Sequence, residues 1–349
     1  MSNQNTWPLL IERLINRLDL DVDSARWAMN EILQGNADVQ QIKAFLLALK
    51  EKGETADEVN SFVSVMYQHS APIEITERAV DTVGTGGDGA NTINISTTAA
   101  IVAAAAGAKV LKHGNRAASS KSGSADLLQA LGVNIELDGV GVTTTFKEVG
   151  IGFCFAPKFH PAMRFAAPAR KELGVPTIFN ILGPLANPAK PLAAAIGVAN
   201  ERMHFLMAEV LAAKGVDGFV FRGNDGLDEL TLTTKTSVLI ISPDGISSDL
   251  IDPTDFNIDR APISAIVGGD AQFNATIAKA IFAGELGAPR DAVALNAAAA
   301  IAAYKGEFKK SLQERIQDGY KDAIDAIDSG AANQLLSNWV AVSQRLSAS

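Results

Sequence analysis

Cysteine is nearly absent from this sequence: Cys154 is the single one in 349 residues. No intramolecular disulfide can form, so a reducing cytoplasm is the expected compartment. A basic surplus is missing too. Thirty Lys and Arg residues face 39 Asp and Glu, giving a net charge of −9. Nucleic acids and anionic membranes need a basic footprint, and aromatic residues at 6% leave little for bases to stack on. Neither partner is expected, although a local anion pocket remains open. No apolar run approaches the roughly 20 residues that cross a bilayer. The longest small-apolar stretches are 99–108 and 297–303, and the first eight residues lack the basic and apolar segments of a secretory signal. What is present is a 47% hydrophobic chain, long enough for one large domain or two unequal ones.

Residues 7–70 read as four short helices. Leu10, Leu14, Ile15 and Leu18 follow the helical period, and a second helix spans about 25–33 before the stop at Gly35 and Asn36. A third carries Ile42, Phe45, Leu46 and Leu49 and stops at Gly53. Thr55 and Glu58 have capping-box spacing and open a fourth, with Val59, Phe62, Val63 and Met66. Helices this short cannot bury their stripes alone and must pack on one another or on something else.

From about residue 79, short β-like runs (79–83, 109–111, 151–155, 192–198, 218–221, 237–241) alternate with helical stretches at 97–107, 124–131, 202–214, 272–283 and 292–304. That alternation predicts an α/β fold: a small all-helical domain plus a large α/β domain, its mostly parallel central sheet flanked by helices. The expected boundaries are 1–72 for the helical domain, with part of the proline-rich segment 157–190 returning to it, and 73–156 with 191–349 for the α/β domain.

Four segments carry chemistry. In the first, 81–97, Gly84, Gly86, Gly87 and Gly89 let the backbone approach an anion, and Asn94, Ser96 and Thr97 stand at a helix N-terminus. The P-loop and Rossmann spacings are both absent, and a glycine-rich turn with an N-cap is the bland alternative. The second, 112–124, brings Lys112, Arg116 and Lys121 together with Asn115, Ser119, Ser120 and Ser124, again directly after a strand. Two such loops belong on one carboxyl edge of a sheet, where α/β folds bind ligands. The third holds adjacent Asp228 and Glu229, hard oxygen ligands suited to Mg²⁺ bridging a phosphate, though a lone Asp-Glu pair is common on surfaces. In the fourth, Arg164 or Arg170 can fork onto a carboxylate. Pairing with a neighbouring acid such as Glu172 explains an arginine there equally well.

In this order the segments resemble the anthranilate phosphoribosyltransferases, across the whole chain from the N-terminal helices to the C-terminal ones. The motifs that carry the likeness are Gly84 to Asp88, Asn94 to Thr97, Lys112 to Asn115, Arg170, and Asp228 with Glu229. The resemblance implies a nucleoside phosphorylase-like phosphoribosyltransferase fold, and a homodimer assembled through the helical domain. It implies transfer of a phosphoribosyl group from phosphoribosyl pyrophosphate to anthranilate, in tryptophan biosynthesis. It assigns the donor to Gly84, Gly87, Asp88, Thr92, Asn94, Ile95, Ser96, Thr97, Lys112, His113, Gly114, Asn115, Arg116, Ala117, Ala118, Ser119, Ser120 and Ser124. It assigns anthranilate to Gly84, Asn115 and Arg170, and Mg²⁺ to Ser96, Asp228 and Glu229. No residue is assigned acid–base catalysis. His113 is the nearest candidate, and an imidazole bonded to backbone is the favoured reading of it. The alternatives are a pyrimidine nucleoside phosphorylase, which gives no reason for the Asp228–Glu229 pair, and a nucleic-acid-binding relative of the fold, which the charge opposes.

Overall fold

The computed structural model describes residues 5–117 and 120–346; Ala118 and Ser119, both named above for the donor, lie outside the described residues. The chain begins with four helices, α1 (Trp7–Ile15), α2 (Val22–Gln34), α3 (Val39–Lys52) and α4 (Ala56–Gln68). Their starts are capped by the local side chains: Asp21 accepts from Ser24 N–H, and Asp38 and Thr55 close capping boxes with Gln41 and Glu58. Helix α2 stops at Gly35, whose φ of 76° only glycine adopts without strain. Ile15 and Leu18 depart from the expected stripe, and Ile15 is exposed on the helix while Leu10 and Leu14 are buried. Helix α1 ends at Ile15, the chain reverses at Arg17, and Leu18 is left exposed.

The remainder alternates strand and helix. In order come β1 (Val80–Gly84), α5 (Ile95–Ala105), β2 (Val110–Gly114), α6 (Ser124–Ala130), α7 (Gly139–Val149) and β3 (Ile151–Phe155). Three short helices follow, α8 (Ala156–Phe159), α9 (Ala167–Leu173) and α10 (Phe179–Leu185). Then come β4 (Ala193–Gly197), α11 (Glu201–Ala213), β5 (Asp217–Gly223), β6 (Thr236–Ser242) and β7 (Gly245–Ile251). Helices α12 (Ala271–Phe282), α13 (Ala288–Lys305), α14 (Leu312–Asp328) and α15 (Ala331–Arg345) close the chain.

The seven strands form one sheet in the order β3-β2-β1-β4-β5-β6-β7. The first five are parallel, and β6 and β7 add an antiparallel edge. The direction of winding reverses between β1 and β4, the position where sheets of this kind open a ligand crevice at their carboxyl ends. One face packs against α5 and α13, whose alanines let backbones come close; a methyl on Gly319 of α14 would stand 2.5 Å from Ala298 O. The other face is shared with the helical bundle. Phe45, Phe62 and Ile32 belong to one buried cluster with Phe179 and Leu182 of α10, Met207 and Leu211 of α11, and Ile196 and Val220 of the sheet. The four N-terminal helices thus bury their stripes against the segment 157–190 and the sheet as well as on each other. No helix among the described residues is long and apolar enough to cross a membrane.

Candidate active site at the carboxyl edge of the sheet

Strands β1, β2 and β5 each end in a glycine, and their three following loops emerge on one edge. The loop after β1 takes positive φ at Gly86, Gly87, Gly89 and Asn91, and it is tied inward by Thr85 N–H to Gly197 O at 3.0 Å and by Ala90 N–H to Asp88 Oδ1 at 3.0 Å. It is pinned at the far end by Ile93 N–H donating to Ile266 O at 2.9 Å. Helix α5 begins at Ile95, two residues earlier than its alanines suggest, so Ser96 and Thr97 lie in its first turn. Asn94 occupies the N-cap yet makes no capping bond. Its amide instead donates to Ser122 O at 2.9 Å, and its oxygen accepts from Asn274 at 2.8 Å, which ties the two glycine loops to α12. Asn94 thus caps none of the first-turn N–H groups; that of Ile95 turns back to Ile93 O at 2.7 Å and that of Ser96 faces the Glu229 carboxylate, so the helix start already meets an acidic group.

The loop after β2 is organised by Asp126, which the sequence reading did not single out. Its carboxylate accepts from Ala117 N–H and Gly123 N–H, both at 2.9 Å, and from Arg116 Nη1 at 2.9 Å. Arg116 also reaches Gln129, so its charge is engaged within the loop's own base. Ser124 Oγ donates to Asn115 O at 3.1 Å, and a methyl on Gly114 would stand 2.1 Å from that hydroxyl. Lys112 is almost wholly buried and donates to Thr82 O and to Ser96 Oγ, the latter at 3.4 Å. Burial lowers its affinity for the proton, while Asp81 and Glu229 restore part of it.

Asp228 and Glu229 come back over the ends of β1 and β4. Gly84 and Gly197 are register partners there, and a methyl on either would collide with Asp228, at 2.2 Å from Oδ2 and 1.7 Å from O respectively. Asp228 Oδ2 accepts from Gly86 N–H at 2.6 Å. Burial and the facing Asp88 push the Asp228 carboxyl up to about 7, against the pull of that bond. Glu229 is driven well above the ordinary range by burial and by Asp228, with Lys112 and the Ser96 backbone working the other way. Among the described residues no group of three or more His, Cys, Asp or Glu side chains is arranged to hold a metal alone. Two buried, mutually repelling carboxylates beside a serine hydroxyl nevertheless fit Mg²⁺, which commonly takes one or two carboxylates and completes its shell with water and substrate phosphate.

The segment 157–190 supplies the remaining candidates. Arg170 on α9 is partly buried, with its guanidinium 5.5 Å from the Phe179 ring. It makes no ion pair among the described residues, and Glu172 pairs with Lys43 at 2.9 Å instead. Arg164 lies against its neighbour Phe165. His113 Nδ1 lies 2.9 Å from Gly183 O, which requires the proton on that nitrogen and leaves Nε2 a buried acceptor with no partner. Burial first, and then His160 whose ring centroid is 5.2 Å away, lower the His113 imidazole to about 3. A base of that strength stays neutral and takes a proton poorly near pH 7.

This arrangement matches a described family in both parts. Residues 76–333 match the glycosyl transferase family, a/b domain, and residues 8–70 match the helical bundle domain of the same family. An anthranilate phosphoribosyltransferase of Rhodococcus jostii is 50% identical over 344 residues, 99% of this chain and 95% of its own. The crystal structure of anthranilate phosphoribosyltransferase from Thermus thermophilus superimposes with a TM-score of 0.88 at 39% identity, covering 96% of this chain and 99% of that one. The Saccharomyces cerevisiae enzyme in complex with PRPP and Mg gives a TM-score of 0.88 at 27% identity, covering 97% and 98%. The chain belongs to this glycosyl transferase family and, within it, to the anthranilate phosphoribosyltransferases.

Proposed function

We propose that the chain transfers the phosphoribosyl group of phosphoribosyl pyrophosphate to the amine of anthranilate, giving N-(5-phosphoribosyl)anthranilate and pyrophosphate in tryptophan biosynthesis. The observation that carries this reading is the meeting of Asp228, in the loop after β5, with the ends of β1 and β4 through Gly84, Gly86 and Gly197, while Asn94 ties the loop after β2 to the loop after β1. The donor is held by the backbone and side chains of Gly84, Gly87, Asp88, Thr92 and Asn94 to Thr97, and by the run Lys112 to Ser120 with Ser124. Ser96, Asp228 and Glu229 would hold Mg²⁺, which would supply positive charge for the departing pyrophosphate. Lys112, fixed between Thr82 O and Ser96 Oγ, places a second positive charge beside it.

Anthranilate lies against Gly84 and Asn115, with Arg170 forking onto its carboxylate; the guanidinium has no protein carboxylate to leave first. An aromatic amine is neutral near pH 7, so its lone pair attacks the anomeric carbon, with inversion, unaided by a base. The chain's task is alignment and stabilisation of developing charge. His113 Nε2 remains a neutral, buried acceptor beside His160. The helical domain carries exposed Leu9, Ile15, Leu18, Val22 and Leu47, an apolar surface suited to a homodimer formed through it. The enzyme works in the cytoplasm. The direct test follows anthranilate fluorescence with and without phosphoribosyl pyrophosphate and Mg²⁺. Consumption that requires both is the expected result, and unchanged fluorescence with both present overturns the assignment.

A further inference from the structure

A cavity of about 320 Å³ opens where β4 and β5 begin, between the sheet and α4, α10 and α11. Lys190, Pro191 and Leu192 line it immediately before β4, and Lys214 and Val216 immediately before β5. It is therefore at the opposite end of these strands from the donor loops. Its volume suits a small organic molecule.

The chemistry of its lining is unbalanced. Lys190 and Lys214 place their ammonium groups 4.9 Å and 5.0 Å from the centre of the Tyr67 ring. Lys214 Nζ donates to Tyr67 Oη at 2.7 Å and to Leu185 O. Neither lysine has an ion pair among the described residues. The one carboxylate lining the cavity, Asp81, is already engaged by Asn187 Nδ2 at 2.8 Å and by His113 N–H at 3.3 Å. Lys190 also sits at a φ of 50°, unusual for a side chain of its size, where a turn closed by its N–H to Asn187 O holds it. Burial lowers Lys214 to about 8, Asp81 working against it and Lys190 with it, which leaves it mostly charged near pH 7. The rest of the wall is apolar, with Leu192 half exposed at the surface and Leu211 and Val216 within.

We propose that this cavity binds a small organic carboxylate, its charge held between Lys190 and Lys214 and its apolar body against Leu192, Leu211 and Val216. The site is separate from the donor loops, so occupancy does not exclude either substrate. Isothermal titration of the full chain with hexanoate, hexanamide and inorganic phosphate as probes tests it. Hexanoate binds with one-to-one saturation, and hexanamide and the double variant Lys190→Met with Lys214→Met bind at least about tenfold more weakly. Phosphate, which has no apolar body, binds at least about tenfold more weakly than hexanoate. Saturating phosphoribosyl pyrophosphate with Mg²⁺ leaves hexanoate affinity within about twofold, as a site separate from the donor loops requires. If the double variant does not fold, Lys190→Met alone, at an exposed side chain, shows a loss of about threefold or more. No saturable hexanoate binding overturns the proposal. So does hexanamide, phosphate or a folded variant binding as tightly as hexanoate binds the unaltered chain, or competition by phosphoribosyl pyrophosphate with Mg²⁺.

Discussion

Replacing Gly84 by alanine puts the proposed metal ligand under direct strain. The new methyl would stand 2.2 Å from Asp228 Oδ2 and 2.8 Å from its carboxyl carbon. To reach ordinary contact the carboxylate must retreat by about 1 Å. It has nowhere easy to go. Its Oδ2 is anchored to Gly86 N–H at 2.6 Å, and its own backbone already rests against Gly197 so closely that a methyl there would be 1.7 Å away. A displacement of about 1 Å in a reacting array costs roughly 100-fold in rate, and overpacking of this kind costs about 1–3 kcal/mol of stability. The expected Gly84→Ala enzyme has kcat/KM reduced about 100-fold and a raised half-saturating Mg²⁺ concentration, read from anthranilate fluorescence. Its melting temperature falls by only a few degrees. Gly215→Ala is the control. Its φ is 70°, but the space around it is open, so it loses about 1 kcal/mol with an unchanged Mg²⁺ response. A Gly84→Ala enzyme with unaltered kcat/KM and Mg²⁺ titration refutes the claim that this glycine exists to admit Asp228.

Arg170→Ala raises the KM for anthranilate about 10- to 100-fold, the worth of a charge-assisted bidentate contact, with a much smaller change for phosphoribosyl pyrophosphate. Equal increases in both remove its assigned role. Asp228→Asn combined with Glu229→Gln abolishes the Mg²⁺ dependence of activity, yet raises the melting temperature of the free protein at pH 8. Both carboxyls titrate above their ordinary range, so at that pH folding must either hold charges it disfavours or take up protons that the unfolded chain has released. A double variant that melts lower, or responds to Mg²⁺ normally, contradicts this. His113 is lowered to about 3 from 6.5, so its contribution to stability is complete above pH 6.5 and is lost as the pH falls toward 3. Between pH 7 and pH 5 that loss is about 2 kcal/mol, and urea unfolding of His113→Gln shows correspondingly less acid sensitivity. Identical sensitivity in the two proteins overturns the buried-neutral assignment.

The helical half was open to reading because its signals are local. Thr55 and Glu58 cap the same turn, and Gly35 ends the helix it follows. Most strands were likewise visible as short apolar runs between turns. Strand β7 was not, because Ser247, Ser248 and Asp249 face solvent on an edge and lack an apolar alternation; its partner β6 alone decides its conformation. Helix α7 begins in glycine and continues through valine and threonine, poor helix formers, and rests on its Asp138 cap and on packing against β3. In the site, glycines and donors placed the loops on their strands. Their wiring was hidden, since Asn94 with Asn274 and Gly86 with Asp228 join residues 180 and 142 positions apart. Asp126 was nearer to legible. Three residues past Gly123, it has the spacing of a capping acid.

An acidic chain that binds a polyphosphorylated sugar must meet the charge locally, and the site suggests how. Its positive components are few and fixed: the buried Lys112, the backbone around Gly87 and Gly89, and the N-terminal end of α5. Against them stand Asp88 and the buried pair Asp228 and Glu229, for which repulsion and burial make a proton or a cation a condition of comfort rather than an addition. Without a cation Asp228 and Glu229 favour protons; with the donor's phosphates and Mg²⁺ together, the same two would become ligands, with a divalent ion between the negative charges. On this reading the metal and the donor bind cooperatively, because each removes a repulsion the other would suffer alone. The net charge of −9 then works in favour of selectivity. Phosphate esters arriving without a divalent cation meet three carboxylates, and only the metal-bound donor finds the edge of the sheet complementary.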